Sequence, residues 1–153
     1  MINNIEIINQ GEPQMNLRKE EKNSYLQAIM FIVSCDGVIS GEEITALKNI
    51  AGRMGITMDK VNMLTEEVAD GKALKNILSR IKNRQTKLQL MYDLVNICHA
   101  DGQYSEIERK SMERVTKLLK VEAEKLVEIE GIVNENIEFS KKTKQVLEVS
   151  NEA

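Results

Sequence analysis

The chain has 153 residues and a net charge of −3, contains no tryptophan, and has only 3% aromatic residues. This length suits one domain with its own core, and with so few aromatics that core must be built from Ile, Leu, Val, Met and Ala. The small net charge neither requires nor excludes a nucleic-acid partner. No apolar run approaches the ~20 residues of a membrane span, so the sequence predicts no transmembrane helix.

Composition also indicates the fold class and the compartment. A single proline, Pro13, together with abundant Lys, Glu, Leu and Met, is typical of an all-α protein. Two cysteines, Cys35 and Cys98, are too few for a disulfide framework. The N-terminal residues have neither the basic start nor the apolar stretch of a secretory signal. We therefore expect a cytoplasmic protein with reduced thiols.

The chain divides into a tail and one helical domain. Residues 1–16 have no sustained periodicity, and we expect them to form a flexible N-terminal tail. From about residue 17, apolar residues recur at a spacing of three or four positions, and the pattern becomes less regular after about residue 136. This spacing predicts consecutive α-helices in a single domain, 17–150.

Four helical patterns fill the first half of this domain. The first, roughly 18–35, is apolar on most sides and is therefore predicted to be buried in the centre. Ser40 begins the second, which ends before Gly55, a predicted left-handed C-cap. Thr57 precedes the third pattern, and an Asp-Gly pair at 70–71 precedes the fourth. The predicted apolar face of the second helix consists of Ile44, Leu47, Ile50, Ala51 and Met54.

The pattern then restarts in the second half of the chain. A second broad apolar helix, about 84–100, is followed by Asp101-Gly102, as the first is followed by Asp36-Gly37. The same register persists beyond these loops and predicts an internal duplication, with repeat one at about 18–82 and repeat two at about 84–150. We expect a compact bundle of about seven helices around a pseudo-twofold axis, with the two broad apolar helices in its centre.

The repeated loops have a sufficient structural interpretation. Ser40 with Glu43, and Ser105 with Glu108, have the S-x-x-E spacing of a capping box. In such a box the serine oxygen accepts a hydrogen bond from a first-turn amide and the glutamate accepts one from the serine amide, at a gain of about 1 kcal/mol. The Asp-Gly pairs suit tight turns between helices.

A second interpretation of the same loops is a cation site. If duplication brings them together, Asp36, Glu43, Asp101 and Glu108 form one acidic cluster, and carboxylates are the ligands that Ca²⁺ and Mg²⁺ prefer. A standard EF-hand is excluded because its twelve-residue loop pattern is absent. We therefore predict a shared site for Ca²⁺ or Mg²⁺ as the alternative to simple helix capping.

A helix that ends in a small residue and Asp-Gly, followed by a hydrophobic anchor, Ser and Glu, resembles the tellurite-resistance TerB family. It is also similar to the N-terminal domain of membrane-anchored DnaJ-type co-chaperones. The resemblance covers about residues 20–135. It implies a pseudosymmetric helical bundle with a non-enzymatic role in stress-response complexes, tellurite resistance or phage defence among them. It also implies divalent-cation binding through Asp36, Glu43, Asp101 and Glu108.

A basic stretch lies where the two repeats meet. It has no acidic residue between positions 71 and 92 and contains Lys72, Lys75, Arg80, Lys82, Arg84 and Lys87. Such a stretch can bind nucleic-acid phosphates or an anionic membrane surface, although it lacks interleaved aromatics that stack on bases. The acid-rich residues 122–138 are candidate intramolecular partners or docking faces. The simpler interpretation, which the sequence favours, is that both stretches are ordinary solvated helix faces.

Signs of catalysis are few. His99 is the only histidine, and repeat one has Ser34 at the corresponding position, so duplication creates no shared catalytic residue. We expect His99 to be a packing or surface residue at a helix end. The paired cysteine spacing of zinc sites and the Gly-rich phosphate loop are both absent from the sequence. We expect a non-enzymatic binding or scaffold module for other proteins, with a metal-dependent hydrolase that uses the acidic cluster as the remaining alternative.

Overall fold

A computed structural model describes residues 18–33, 41–60, 71–100 and 104–148, and it leaves undescribed the side chains of residues 20 and 71–73. This part of the chain contains helices and turns but no strand, so the predicted all-α fold is confirmed. A further helical segment begins at residues 58–60. The helices are α1 (Lys19–Val33), α2 (Gly41–Arg53), α3 (Gly71–Ser79), α4 (Arg84–Cys98), α5 (Glu106–Leu118) and α6 (Ala123–Leu147).

Helices α1 and α4 form the centre of the bundle, as their broad apolar surfaces predict. They pack against each other, and both also contact α2 and α5. In addition, α1 contacts α3 and α4 contacts α6. Because each central helix has neighbours on several sides, it needs apolar residues around most of its circumference. The fully buried side chains of these two helices include Leu26, Ile29, Ile32, Leu90, Met91 and Leu94.

The helix bounds recur at the register of the sequence repeat, in which Asp36 corresponds to Asp101. In this register both ends of α4 correspond to the ends of α1, and both ends of α5 correspond to the ends of α2. Likewise, the first residue of α6 corresponds to the start of the helical segment at residue 58. The bounds therefore agree through α1, α2 and the segment at residue 58, whereas α3 corresponds to residues 136–144, which lie within α6. The duplication that would explain this agreement stays a prediction.

The turns that end α2 and α5 have the same geometry. Gly55 has φ 70° and Lys120 has φ 60°, both in the left-handed region. In each turn the next amide donates to the carbonyl oxygen five residues before it, at 2.9 Å in the first turn and 3.1 Å in the second. These are Schellman-type helix ends. The predicted left-handed cap at Gly55 is confirmed, and an equivalent cap exists at a lysine.

The predicted apolar face of α2 is wrong at its first turn. Ile44 is 41% exposed, whereas Glu43 is only 3% exposed. The later members of that face, Leu47, Ile50 and Ala51, are buried as predicted. The first turn of α2 therefore directs a carboxylate into the protein, and Ile44 lies toward solvent.

Helix α6 packs on the bundle through its first half and extends beyond it. Leu126, Ile129 and Val133 are buried, whereas Phe139 and Leu147 are each 72% exposed. No helix in the described ranges is long and apolar enough to cross a membrane. The predicted tail, 1–16, and the end of the domain near residue 150 lie outside the described residues.

Candidate functional site

The two acidic loops are only partly described by the structure. Asp36 and Asp101, the aspartates of the predicted cation site, lie outside the described residues. Glu43 and Glu108 lie within them, in the first turns of α2 and α5, and each is 3% exposed. A buried carboxylate needs hydrogen-bond partners, because burial without them is costly. Both glutamates therefore lie within the protein at the starts of their helices rather than on its surface.

Glu108 takes part in the predicted capping box at the start of α5. The Ser105 amide donates to Glu108 Oε1 at 3.0 Å, and the Glu108 amide donates to Ser105 Oγ at 3.1 Å. This capping box is confirmed. Its counterpart at α2 needs Ser40, which lies outside the described residues, so that box stays a prediction. The cap engages one oxygen of the Glu108 carboxylate.

The described side chains alone do not form a metal centre. Among them there is no group of three or more His, Cys, Asp or Glu residues that could hold an ion. A cation site would therefore depend on Asp36 and Asp101 as well as on Glu43 and Glu108. The predicted Ca²⁺ or Mg²⁺ site stays a prediction that rests on the two loops.

The residues on either side of the second loop pack against each other. The rings of His99 and Tyr104 have centroids 4.9 Å apart. Burial raises the pKa of Tyr104, and the neighbouring Glu130 carboxylate raises it further. Arg109 binds the same carboxylate through two nitrogens, at 3.1 and 3.2 Å, which ties the start of α5 to α6. His99 therefore packs at this helix end, one of the two roles expected for it.

A buried carboxylate in α4 connects three helices. Asp93 is 4% exposed and accepts a hydrogen bond from the Tyr25 hydroxyl of α1. Gln89 Nε2 donates to it at 3.3 Å, and Arg53 Nη2 of α2 lies 3.4 Å from both of its oxygens. Burial raises the pKa of Asp93, although these hydrogen bonds and the arginine charge oppose that change. Sequence analysis missed this network, because its members are far apart in the chain.

The described residues of the predicted basic stretch have different surroundings. Arg84 Nη2 lies 2.8 Å from Glu122 Oε2, an exposed ion pair with the acid-rich segment 122–138. Arg80 is exposed, and the Lys72 side chain is outside the described part of the structure. The three remaining lysines of the stretch line one cleft: Lys75, Lys82 and Lys87.

That cleft, which we call the lysine cleft, has a volume of about 400 Å³. Lys117 at the end of α5 and Lys120 in the following turn also line it, and its apolar lining includes Leu78, Ile81 and Leu119. The described residues supply no carboxylate to its lining. No ion pair to any of the five ammonium groups is found in the same part of the chain. Sequence analysis missed Lys117 and Lys120; the one available signal was that Lys120 occupies the position of Gly55.

The chain is similar to a known family and to a solved structure. A family model described as tellurite resistance protein TerB matches residues 26–130. The crystal structure of a tellurite resistance protein from Nostoc punctiforme aligns with a TM-score of 0.66 and 19% sequence identity. The alignment covers 96% of this chain and 93% of that one. At this identity the likeness to the solved structure concerns the fold alone. No curated protein matches the chain.

Proposed function

Because the chain belongs to the TerB family of tellurite resistance proteins, we propose that it is a non-enzymatic binding module of a bacterial stress-response system. The observation that carries this proposal is the pair of equivalent loop-to-helix junctions. Glu43 and Glu108 are each 3% exposed at matching positions of α2 and α5. A buried glutamate thus lies in the first turn of the helix that follows each Asp-Gly pair in the sequence. Recognition by the two loops is the mechanism that this arrangement favours.

The ligand proposed for the loops is a divalent cation, Ca²⁺ or Mg²⁺, bound by Asp36 and Asp101 together with Glu43 and Glu108. These cations prefer several oxygen ligands, and carboxylates provide both charge and oxygen. The capping bond at 3.0 Å holds Glu108 Oε1 to the amide of Ser105 and so fixes one carboxylate beside its loop. A ligand that is fixed before binding loses less conformational entropy when the cation binds.

The partner proposed for the cation-bound loops is another protein of the same cytoplasmic stress-response complex. A bound divalent ion changes the charge of an acidic surface, and electrostatic complementarity controls which partners associate. Nucleic-acid or membrane binding through the basic stretch has less support. Arg84 already pairs with Glu122, and three of the lysines line a compact cleft rather than an extended strip.

Calorimetry tests the cation proposal. Purified protein is titrated with Ca²⁺, Mg²⁺ and Zn²⁺, and the titrations are repeated with Asp36→Asn/Asp101→Asn. We expect saturable heat for Ca²⁺ or Mg²⁺ in the wild-type protein and its loss in the double variant. A control, Glu135→Gln/Glu138→Gln, removes the same charge from exposed positions of α6 and is expected to bind as the wild type does.

Two results would contradict the cation proposal. One is the absence of heat from the wild-type protein at millimolar metal. The other is equal binding by the wild type and the Asp36→Asn/Asp101→Asn variant, since this would place the ion elsewhere. Turnover of a phosphate or peptide ester that disappears in Asp101→Asn would contradict the non-enzymatic assignment and would support the hydrolase alternative.

A further inference from the structure

We propose that the lysine cleft is a binding site for oligophosphates, meaning small ligands in which several phosphate groups are linked. Its lysines come from separate parts of the fold, namely α3, the α3–α4 connection, α4, α5 and the turn after α5. Helices α3 and α4 each contact α5, so packing of the bundle assembles the cleft. None of these lysines belongs to the Asp-Gly loops, and phosphate binding by them needs no bound cation.

The cleft has a high density of positive charge. Lys75, Lys82, Lys87, Lys117 and Lys120 all line it, and the described lining residues include no carboxylate. Like charges that are brought together repel one another, so a cluster of this kind is expected to favour a neutralising ligand. Lysine ammonium groups bind phosphate oxygens as point charges. The cleft therefore favours a ligand with several negative charges close together.

The cleft has the size of a small-molecule binding site. A volume of about 400 Å³ lies within the range of small-molecule sites, roughly 300–1,000 Å³. In a duplex or an anionic membrane, negative charges are spread along a surface, and a compact concave cluster can contact only a few of them. A linked chain of phosphates places several charges within the cleft itself. The compact shape therefore favours an oligophosphate over a nucleic acid or a lipid surface.

The backbone conformation of Lys120 also indicates a functional role for this residue. Its φ of 60° is left-handed, whereas the matching turn after α2 has Gly55 at φ 70°. A left-handed conformation is unfavourable for a residue with a side chain, and glycine avoids this cost. The second turn nevertheless has a lysine, and its side chain lines the cleft. Backbone strain of this kind is typical of positions that serve a function.

The experiment measures binding of sodium tripolyphosphate by calorimetry, in a buffer without phosphate and without divalent cations. We expect saturable binding of one ligand per chain. In Lys82→Gln/Lys117→Gln/Lys120→Gly the affinity is expected to fall about tenfold or more, because three charge pairs are lost. Glycine at position 120 is compatible with the turn, and circular dichroism checks that the variant is folded.

The matched control is Lys141→Gln/Lys142→Gln/Lys144→Gln, which removes three lysines from the exposed end of α6. It is expected to bind tripolyphosphate with the wild-type affinity. A second ligand, ATP, identifies the source of the phosphates. Equal affinities for ATP and tripolyphosphate indicate recognition of the phosphate chain alone, whereas tighter binding of ATP indicates that the nucleoside is also recognised.

Three results would overturn the proposal: no saturable heat at millimolar tripolyphosphate, an equal loss of affinity in the cleft variant and the control, or stronger binding to duplex DNA or phosphatidylserine vesicles than to tripolyphosphate. Because divalent cations are left out of these titrations, failure of the cation site at the Asp-Gly loops does not change their outcome.

Discussion

Lys120 and Gly55 occupy the same place in two equivalent turns, and both have positive φ. A left-handed conformation costs a residue with a side chain roughly 1–2 kcal/mol. Glycine has no such cost in the folded turn. However, a glycine makes the unfolded chain more flexible, which offsets about 0.4–1 kcal/mol of the gain in stability. We therefore predict that Lys120→Gly raises the free energy of unfolding by about 0.5–1 kcal/mol, as measured by urea denaturation.

The reciprocal variant, Gly55→Lys, is the control for this prediction. A Cβ added at Gly55 meets no heavy atom within 4 Å, so the substitution causes no clash at this atom. Its cost comes from the backbone conformation, and the free energy of unfolding should fall. A shift of both variants in the same direction would contradict the equivalence of the two turns.

Asp93 gives the unfolding free energy a dependence on pH. Burial raises its pKa in the folded protein above the ordinary value of 3.8. From pH 3.8 upward, the folded state therefore holds more protons at this site than the unfolded state does. Rising pH consequently lowers the free energy of unfolding through Asp93 until the folded carboxyl group has also ionised.

We predict that Asp93→Asn removes this component of the pH dependence. The unfolding free energy of the wild type minus that of the variant should decrease from about pH 4 toward neutral pH. Urea denaturation at a series of pH values measures this difference. A difference that increases with pH would show that Arg53 and the hydrogen bonds outweigh burial. Asp93→Ala removes the acceptor of Tyr25 as well and should cost about 3 kcal/mol.

At the scale of the element, the start of α5 depends on a reciprocal cap. Ser105 Oγ accepts a hydrogen bond from the Glu108 amide at 3.1 Å. Replacing such a capping residue with alanine costs about 1 kcal/mol. We predict that Ser105→Ala lowers the free energy of unfolding by about 1 kcal/mol in thermal or urea denaturation. Ser40→Ala should have an equal effect if the predicted box at α2 forms. A cost near zero for Ser105→Ala would contradict the cap.

Helix positions were predictable from the sequence because their signals are local. Ser105 with Glu108 marks a helix start, Gly55 marks a helix end, and apolar residues at three- and four-residue spacing mark the face between them. The prediction failed at Ile44, since adjacent residues in the first turn compete for the inward position. There the buried carboxylate of Glu43 replaced the apolar side chain.

At the scale of the whole molecule, the important side-chain groups could not be predicted because they join distant parts of the chain. Tyr25 and Asp93 are 68 residues apart in sequence yet share a hydrogen bond. Lys117 and Lys120 join Lys82 only because α3 and α4 both pack against α5. The sequence shows only that the stretch is basic. Tertiary packing determines which of its residues forms an ion pair and which of them line the cleft.

One bundle carries both of the proposed binding sites. Repeated acidic loops precede α2 and α5, and the lysine cleft lies among α3, α4 and α5. The turns after α2 and α5 have matching geometry, but the turn after α5 has a charged lysine where the turn after α2 has Gly55.

The most direct test of this account is a ¹H–¹⁵N NMR titration of the full chain, first with Ca²⁺ and Mg²⁺ and then, in a separate sample, with tripolyphosphate. We predict that a divalent cation shifts the amide resonances of Gly37 and Gly102 together. Tripolyphosphate should instead shift those of Lys117 and Lys120. If neither cation affects Gly37 and Gly102, the central claim that the repeated loops bind a cation is wrong.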